Sequence, residues 1–486
     1  MFLGIDLGTS SVKAVVLDEN DRIAAQASAP LSVQRPRPLW SEQNPEEWWH
    51  ASVEAVRALP ADIRKSVRGI GLSGQMHGAV LLDAKDQVLR PAILWNDGRC
   101  EAECAELEKN EPKSRQITGN LAMPGFTAPK LLWVKKHEPE VFAKTASVLL
   151  PKDYLRLRLT GEKISDMSDS AGTLWLDVEK RAWSEAMLKA TSLNKSHMPA
   201  LVEGTQPAGK LKPDVASLLG LDEVVVAGGG GDNAASAVGS GVISPGQAFL
   251  SLGTSGVLFV VTDKFRPNPE KAAHAFCHAI PKRWHQMSVM LSAASALDWA
   301  VSIGNFGHVV TAAQAAEEAG LKKTTPIFLP YLSGERTPHN DPFARGVFFG
   351  LSGETSGADL INSVLEGVAL GFAEGLDSLI EAGSDIEEIN VVGGGSRLNY
   401  WNELLASALN RPLTRRAGGE VGAAFGAARL GRIAVTHEDP RSVCIAPPVE
   451  RVIAPNEGLT ELMQRRRPAF AAVYRQLKSV FREFSI

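Results

Sequence analysis

Two aspartates stand where an apolar strand runs into glycine, and both are placed for work on a phosphate. Asp6 ends the run Phe2-Leu3-Gly4-Ile5 and precedes the turn Gly8-Thr9-Ser10. A carboxylate in a buried strand is costly unless it is paired or near a cation. Mg2+ needs only one or two protein carboxylates when phosphates supply its other oxygens. Asp6 therefore reads as an acid that positions Mg2+ or phosphate, or as an Asx-type turn acid. Asp232 follows four consecutive glycines, Gly228 to Gly231, and opens an alanine-rich helical stretch. Four glycines are entropically expensive, and a ligand approaching the backbone closely would explain them. Asp232 is then either a general base, taking a proton from a hydroxyl that attacks phosphorus, or a helix N-cap. Residue type alone leaves both open.

The second signal is a repeat. Leu7-Gly8-Thr9-Ser10 with Val12 recurs as Leu252-Gly253-Thr254-Ser255 with Val257, an offset of 245 in a chain of 486. Each copy lies between two apolar strands, and a glycine turn with a hydroxyl beside it exposes N–H groups to an anion. Taken singly such turns are ordinary; facing each other, they could hold a polyphosphate from both sides. No Gly-x-x-x-x-Gly-Lys-Ser/Thr run and no Gly-x-Gly-x-x-Gly with a downstream ribose acid is present, so P-loop and Rossmann chemistry are not supported.

The elements that must carry these residues follow from the same pattern. Strands are predicted at Phe2–Asp6, Val12–Leu17 and Arg22–Ala29, a meander joined by tight turns. Asn44-Pro45-Glu46-Glu47 predicts a capped helix bearing Trp48, Ala51, Ala55 and Val56. Val224–Val226 and Ile389–Val392 each run into glycines and then a helical stretch, which indicates α/β architecture with ligands at the strand ends. The matched openings place a boundary near Pro245, dividing the chain into 1–245 and 246–486. No low-complexity linker separates the halves, which predicts close packing.

Composition sets the outer limits. The chain is 44% hydrophobic and 22% charged, with a net charge of −4. Its length calls for at least two domains, and its charge gives no reason to expect nucleic acid or an anionic membrane as partner. Four cysteines in so long a chain are not a disulfide framework and fit a reducing cytosol. No run of 18 apolar residues occurs and no membrane span is expected. The opening Met1-Phe2-Leu3-Gly4-Ile5-Asp6 has no basic segment, so no signal peptide is expected and a cytoplasmic location is predicted. His274-Ala-Phe-Cys277-His278 reads as a packed strand rather than a metal site.

Longer segments carry a family resemblance. Gly4 to Ser10, then Gly125-Phe-Thr127-Ala-Pro-Lys130-Leu-Leu-Trp133, then Gly346-Val-Phe-Phe-Gly350-Leu351 with Asp359 to Glu366 resemble the phosphate hairpin and the two signatures of the FGGY carbohydrate kinases. This superfamily of glycerol and pentulose kinases shares the actin and heat-shock ATPase fold. Trp40-Ser41-Glu42-Gln43, Gly74 to Gly78, Trp95 to Arg99 and Leu332 to His339 are similar to segments of the xylulose-specific members. Met76-His77 stand where glycerol-specific members carry an Arg-Glu pair, and an imidazole donor there suits a ketopentose.

The resemblance implies a duplicated ribonuclease H-like α/β fold, with sugar on the N-terminal half and ATP on the C-terminal half of an interdomain cleft that closes about a hinge. It implies ATP- and Mg2+-dependent phosphorylation of D-xylulose at O5, with ribulose, glycerol or another polyol as the alternative acceptor. Residue by residue, Asp232 resembles the catalytic base and Asp6 the acid that holds Mg2+, through water. Met76, His77, Trp95 and Asn233 resemble sugar contacts. Gly8-Thr9 and Gly253-Thr254 resemble the phosphate clamps, and Gly394, Gly395 and Asn399 the adenosine site. A homodimer is expected by analogy only. The rival is an actin-like or chaperone-type ATPase of the same fold, in which hydrolysis would ignore sugar. Arg336, in a loop rich in glycine and proline, reads either as structural or as closing over substrate.

Overall fold

The first meander forms as its residues dictate. Strands β1 (Phe2–Leu7), β2 (Ser11–Leu17) and β3 (Ile23–Pro30) pair antiparallel in order. β1 is buried along nearly its whole length, as befits a strand covered on both faces. In this computed structural model, which describes residues 1–417 and 422–483, β4 (Gly69–Gly74) runs parallel to β1, and β6 (Val225–Ala227) parallel to β4. β5 (Pro207–Lys210) pairs antiparallel at the edge, giving the order β5-β6-β4-β1-β2-β3. The last three residues of the predicted C-terminal half, 484–486, lie outside the described residues.

The second sheet repeats the plan. β7 (Gln247–Leu252) and β8 (Gly256–Thr262) form the second hairpin. β9 (His274–Cys277) and β10 (Trp284–Met290) extend it. β11 (Glu388–Val392) and β12 (Leu413–Arg416) lie parallel on the far side of β7, and β13 (Val449–Ile453) pairs antiparallel at the edge. The order β9-β10-β8-β7-β11-β12-β13 repeats the spatial plan of the first sheet, with β9 added and with the edge strand β13 following β12 in sequence where β5 precedes β6. The duplication inferred from the two turns is thus a duplication of the sheet plan. The hairpins differ in one detail: Leu7 pairs with Val12, whereas Leu252 pairs with Gly256, so the second hairpin is one residue tighter. A Cβ at Gly256 would crowd the Phe372 ring, which explains glycine at that corner.

Helices clothe both sheets. α1 (Pro45–Arg57) begins as expected, with the Asn44 side chain accepting from the Glu46 N–H, and buries Trp48. Between β4 and β5 come α2 (Thr127–His137) and α3 (Pro151–Thr160). α4 (Asp232–Ser240) closes the first half. The second half adds α5 (Gly357–Glu381), α6 (Asn399–Leu409), α7 (Ala423–Thr436) and α8 (Glu457–Glu483). α7 lies not on its own sheet but under the first. A Cβ built on Gly4 or Gly71 would overlap the Ala424 or Ala427 carbonyl oxygen, and one on Gly426 would overlap that of Ala235 in α4. Glycine and alanine at these positions let backbone touch backbone. A hydrophobic cluster holding Phe126 and Trp175 together with Phe249, Phe259 and Phe276 spans the two halves. Among the described residues, no helix is long and apolar enough to cross a membrane.

Candidate active site

Three neighbouring strands of the first sheet deliver the catalytic candidates. Asp6 pairs across the parallel ladder with Ser73 of β4, and Gly230-Gly231 pair with Ser73-Gly74. Asp6 and Asp232 therefore stand at the carboxyl ends of the two strands that flank β4, where open α/β sheets bind ligands. Asp232 is the first residue of α4, and Gly231 precedes it as the cap. The Asp232 side chain does not cap the helix. Its Oδ1 accepts from the Asn233 backbone N–H (2.7 Å) and Nδ2 (3.0 Å), so its carboxylate faces the cleft.

Electrostatics separate Asp232 from an ordinary surface acid. Burial, and then the negative charge of Asp6, push its carboxyl up from 3.8 to about 7, against the pull of Asn233. Burial also raises Asp6, opposed by the Ser73 hydroxyl and Lys13, and Asp6 Oδ1 is buried without a hydrogen-bond partner. Two carboxylates this close, one with an orphaned oxygen, fit a cation that arrives with its other ligands. Among the described residues no group of three or more His, Cys, Asp or Glu could hold a metal alone, so the phosphates would supply the remaining oxygens.

Behind the glycine run lies an ionic cluster that no motif announced. Lys152 Nζ, fully buried, lies 2.5 Å from Asp153, 3.0 Å from Asp166 and 3.6 Å from Asp169. Ser168 Oγ donates to Asp166 (2.5 Å) and accepts from the Gly231 N–H (3.1 Å). Arg156 donates to the Ala227 and Gly228 carbonyls. The glycines that free the approach to Asp232 are thus fixed from below by side chains.

Met76, His77, Trp95, Asp232 and Asn233 all line one cavity of about 310 Å3, within the size range of small-molecule sites. His77 is backbone-strained, with φ 70°. Its Nδ1–H donates to the Gly172 carbonyl (2.6 Å), and burial lowers its pKa to about 3. The imidazole is therefore neutral and its free Nε2 is an acceptor, which corrects the donor role expected from sequence. Lys130, fully buried, donates to the His77 (2.9 Å) and Gly125 (2.8 Å) carbonyls and so fixes both pocket loops. Trp95 Nε1 donates to Thr9 Oγ1 (3.0 Å), and Thr9 Oγ1 to Gln75 (3.2 Å), tying the first glycine turn to the pocket. From the second half, Ser251 and Ser255 bring the other turn to the same cavity.

The wall opposite comes from the second half, and of its residues Arg336, read from sequence as structural or as closing over substrate, faces the cavity. His274, Phe276, Met287 and Val289 of the second sheet, with Arg336, complete the lining. His274 sits in a packed strand as expected, yet its ring faces the cavity. Its distance in sequence from Arg336 and from Asp232 left nothing for spacing to reveal.

The sequence profile of the FGGY family of carbohydrate kinases matches this chain twice, its N-terminal domain over residues 1–239 and its C-terminal domain over 248–435. The chain belongs to the FGGY family of carbohydrate kinases. A xylulose kinase of Escherichia coli (strain K12) is 52% identical over 98% of this chain and 99% of its own length. Solved structures agree. A "xyloylose kinase" from Brucella ovis superposes with a TM-score of 0.95 at 51% identity, and a xylulose kinase from Rhodospirillum rubrum with 0.92 at 28%, each covering 99% of both chains.

As an FGGY kinase the protein also needs room for a nucleotide. A second cavity, of about 580 Å3, is lined by Val392, Gly393, Gly394, Ser396, Arg397, Arg415 and Arg416, with Ser240 of α4. Gly393 adopts φ 93° and packs on the Leu252 backbone, which brings this cavity beside the second glycine turn. The Gly253 and Thr254 carbonyls accept from Ala294 (2.8 Å) and Ala293 (3.0 Å), which anchors that turn. Gly394 faces the cavity. Gly395 instead packs against the Leu252 side chain and Trp401, and Asn399 accepts from Arg415 at 3.2 Å at its margin.

Proposed function

We propose that this kinase transfers the γ-phosphoryl group of ATP to O5 of D-xylulose, giving D-xylulose 5-phosphate and ADP, with Mg2+ as the divalent ion. The observation that carries the reading is Asp232, a cleft-facing carboxyl held at about 7 beside Asp6 in a sugar-sized cavity. A base poised near neutrality takes a proton most effectively at working pH. The 52% identity to the Escherichia coli xylulose kinase supports the choice of sugar.

In this mechanism the pentulose lies in the cavity with O5 against Asp232. Asp232 accepts the O5 proton as the oxygen attacks phosphorus, and the Thr9 N–H (that of Gly8 is given to the Ser11 carbonyl) with the N–H groups of Gly253-Thr254 holds the phosphates in line from both halves. His77 Nε2 accepts a hydrogen bond from a sugar hydroxyl, while Met76 and Trp95 pack on its carbon edge. Asn233 keeps the Asp232 carboxylate oriented. When bound with ATP, the divalent ion offsets phosphate charge, and Asp6 would hold it through water. Gly394 and its arginine-rich cavity would take the adenosine end. The four cysteines are buried free thiols, which fits a reducing cytoplasm.

The test is ATP consumption by purified protein with Mg2+ and a panel of ketopentoses, aldopentoses and glycerol. Strong stimulation by D-xylulose is expected. Stimulation by another polyol alone would overturn the substrate, and hydrolysis indifferent to every sugar would overturn the transfer.

A further inference from the structure

Arg336 is built into the sugar cavity from the second half, and its surroundings leave its donors free. Its backbone is pinned on both sides. Glu335 Oε1 accepts from the Leu291 (3.0 Å) and Arg336 (2.8 Å) N–H groups. Thr337 N–H donates to the Val289 carbonyl (3.1 Å), and Thr337 Oγ1 to that of Ala272 (3.0 Å). With its carboxylate turned to backbone, Glu335 does not pair with the guanidinium. Among the described residues the one side-chain partner of Arg336 is His274 Nε2, at 3.4 Å from Nη1. His274 is itself set by Asn120 of the first half, whose Oδ1 lies 3.0 Å from Nδ1. That bond puts the proton on Nδ1 and leaves Nε2 to accept from Arg336. An arginine has five N–H donors in a planar fork, so most of this fork is aimed at the cavity unpaired.

The position of the fork relative to the base follows from the neighbours. Asp232 feels the charge of Asp6, whereas His77 and His274 both feel Arg336. His77, Phe126, His274 and Phe276 pack around the guanidinium, mostly edge to face, with ring centroids 4.8 to 6.2 Å apart. Asp232 and Arg336 line the same cavity from different halves, so a linear pentulose with O5 at Asp232 can extend its hydroxyketone end to the guanidinium.

We infer that the Arg336 guanidinium forks across O1 and O2 of the pentulose, binding the hydroxyketone end from the second half while the base works on O5 from the first. Two oxygens on adjacent carbons suit a planar bidentate donor, and lysine would not replace it. This inference rests on the substrate reading above.

The test is a cycle between residue and ligand atom. Initial rates are measured for the wild type, Arg336→Gln and Arg336→Lys with D-xylulose and with 1-deoxy-D-xylulose, which lacks O1. Deleting O1 should lower wild-type kcat/KM by about 10- to 100-fold. Arg336→Gln should lose a similar factor on D-xylulose through the sugar KM, with KM for ATP unchanged, and should separate the two sugars by less than about threefold. ADP binding by calorimetry shows whether Arg336→Gln is folded. If it is not, Arg336→Lys, which keeps the charge without the fork, must show the narrowed discrimination. Undiminished preference for O1 in a folded variant overturns the inference alone. A wild type that does not phosphorylate D-xylulose overturns the substrate reading with it.

Discussion

Replacing Asp232 with asparagine should make the protein inactive and more stable, and the stability gain should grow with pH. Burial and Asp6 hold the carboxyl at about 7 instead of 3.8, a bias against the ionised form of roughly 4 kcal/mol at roughly 1.4 kcal/mol per pH unit. Asp232 is partly open to the cleft, and solvent screening halves the figure to about 2 kcal/mol. The sign follows from proton linkage. A carboxyl whose folded pKa lies above its unfolded value destabilises the fold increasingly as pH rises from its unfolded to its folded value, and by a constant amount above. Asparagine keeps the acceptor for Asn233 and removes the charge. Asp232→Asn should therefore be more stable than wild type by about 2 kcal/mol at pH 8 and by about 1 kcal/mol at pH 5. In thermal melts this is a rise of a few degrees at pH 8 and a smaller one at pH 5. Turnover, followed as ADP release with D-xylulose, should fall by at least about 100-fold. A melting point that does not rise, or a rise equal at both pH values, would refute the account of the raised carboxyl. Retention of more than about a tenth of the rate would refute the base.

Four further outcomes follow from named contacts. The kcat/KM profile should fall on the acid side of about pH 7, where Asp232 takes up its proton, and Asp6→Asn should move that limb to lower pH because it removes the like charge. A Cβ at Gly172 would stand 2.6 Å from His77 Cε1 and Nδ1, so Gly172→Ala should raise the sugar KM about 10-fold or more while KM for ATP holds. Lys152→Met strands three buried carboxylates and should cost about 3–5 kcal/mol in urea denaturation. Gly71→Ala would drive a methyl into the Ala427 carbonyl, and the unfolding free energy from urea denaturation should fall by at least about 1–3 kcal/mol, as overpacking costs.

The two aspartates that line the strand ends were legible in sequence because each sits where an apolar strand runs into glycines, although residue type alone left a turn acid or a helix cap equally open. The duplicated turn was legible for the same reason, and it led to two sheets built on the same plan. The one-residue difference in hairpin register was not, since the two turns read alike in sequence, and Phe372, far along the chain, explains only why Gly256 is glycine. The Lys152 cluster was invisible because its four members come from α3 and the segment before Gly172, and only folding puts three acids on one ammonium. The cavity wall from the second half was legible only as Arg336, one of whose two readings was closure over substrate. His274 and Arg336 are neighbours because Thr337 is stitched to Val289 and Ala272, a pairing that neither composition nor periodicity encodes. His77 was found, but its hydrogen-bonding sense was not, because the Gly172 carbonyl decides which nitrogen carries the proton.

The seating of α7 has a consequence for how the chain is made. The strip of the first sheet that contains Gly4 and Gly71 is covered by residues 423–436. A ribosome delivers β1 first and its cover near the end. Throughout translation of the second half, the nascent protein carries an unroofed ribbon of glycine-lined sheet, closed only when α7 emerges. A stall or truncation upstream of α7 therefore leaves a product with the first sheet complete in hydrogen bonds and bare on one face, a natural client for chaperones and proteases.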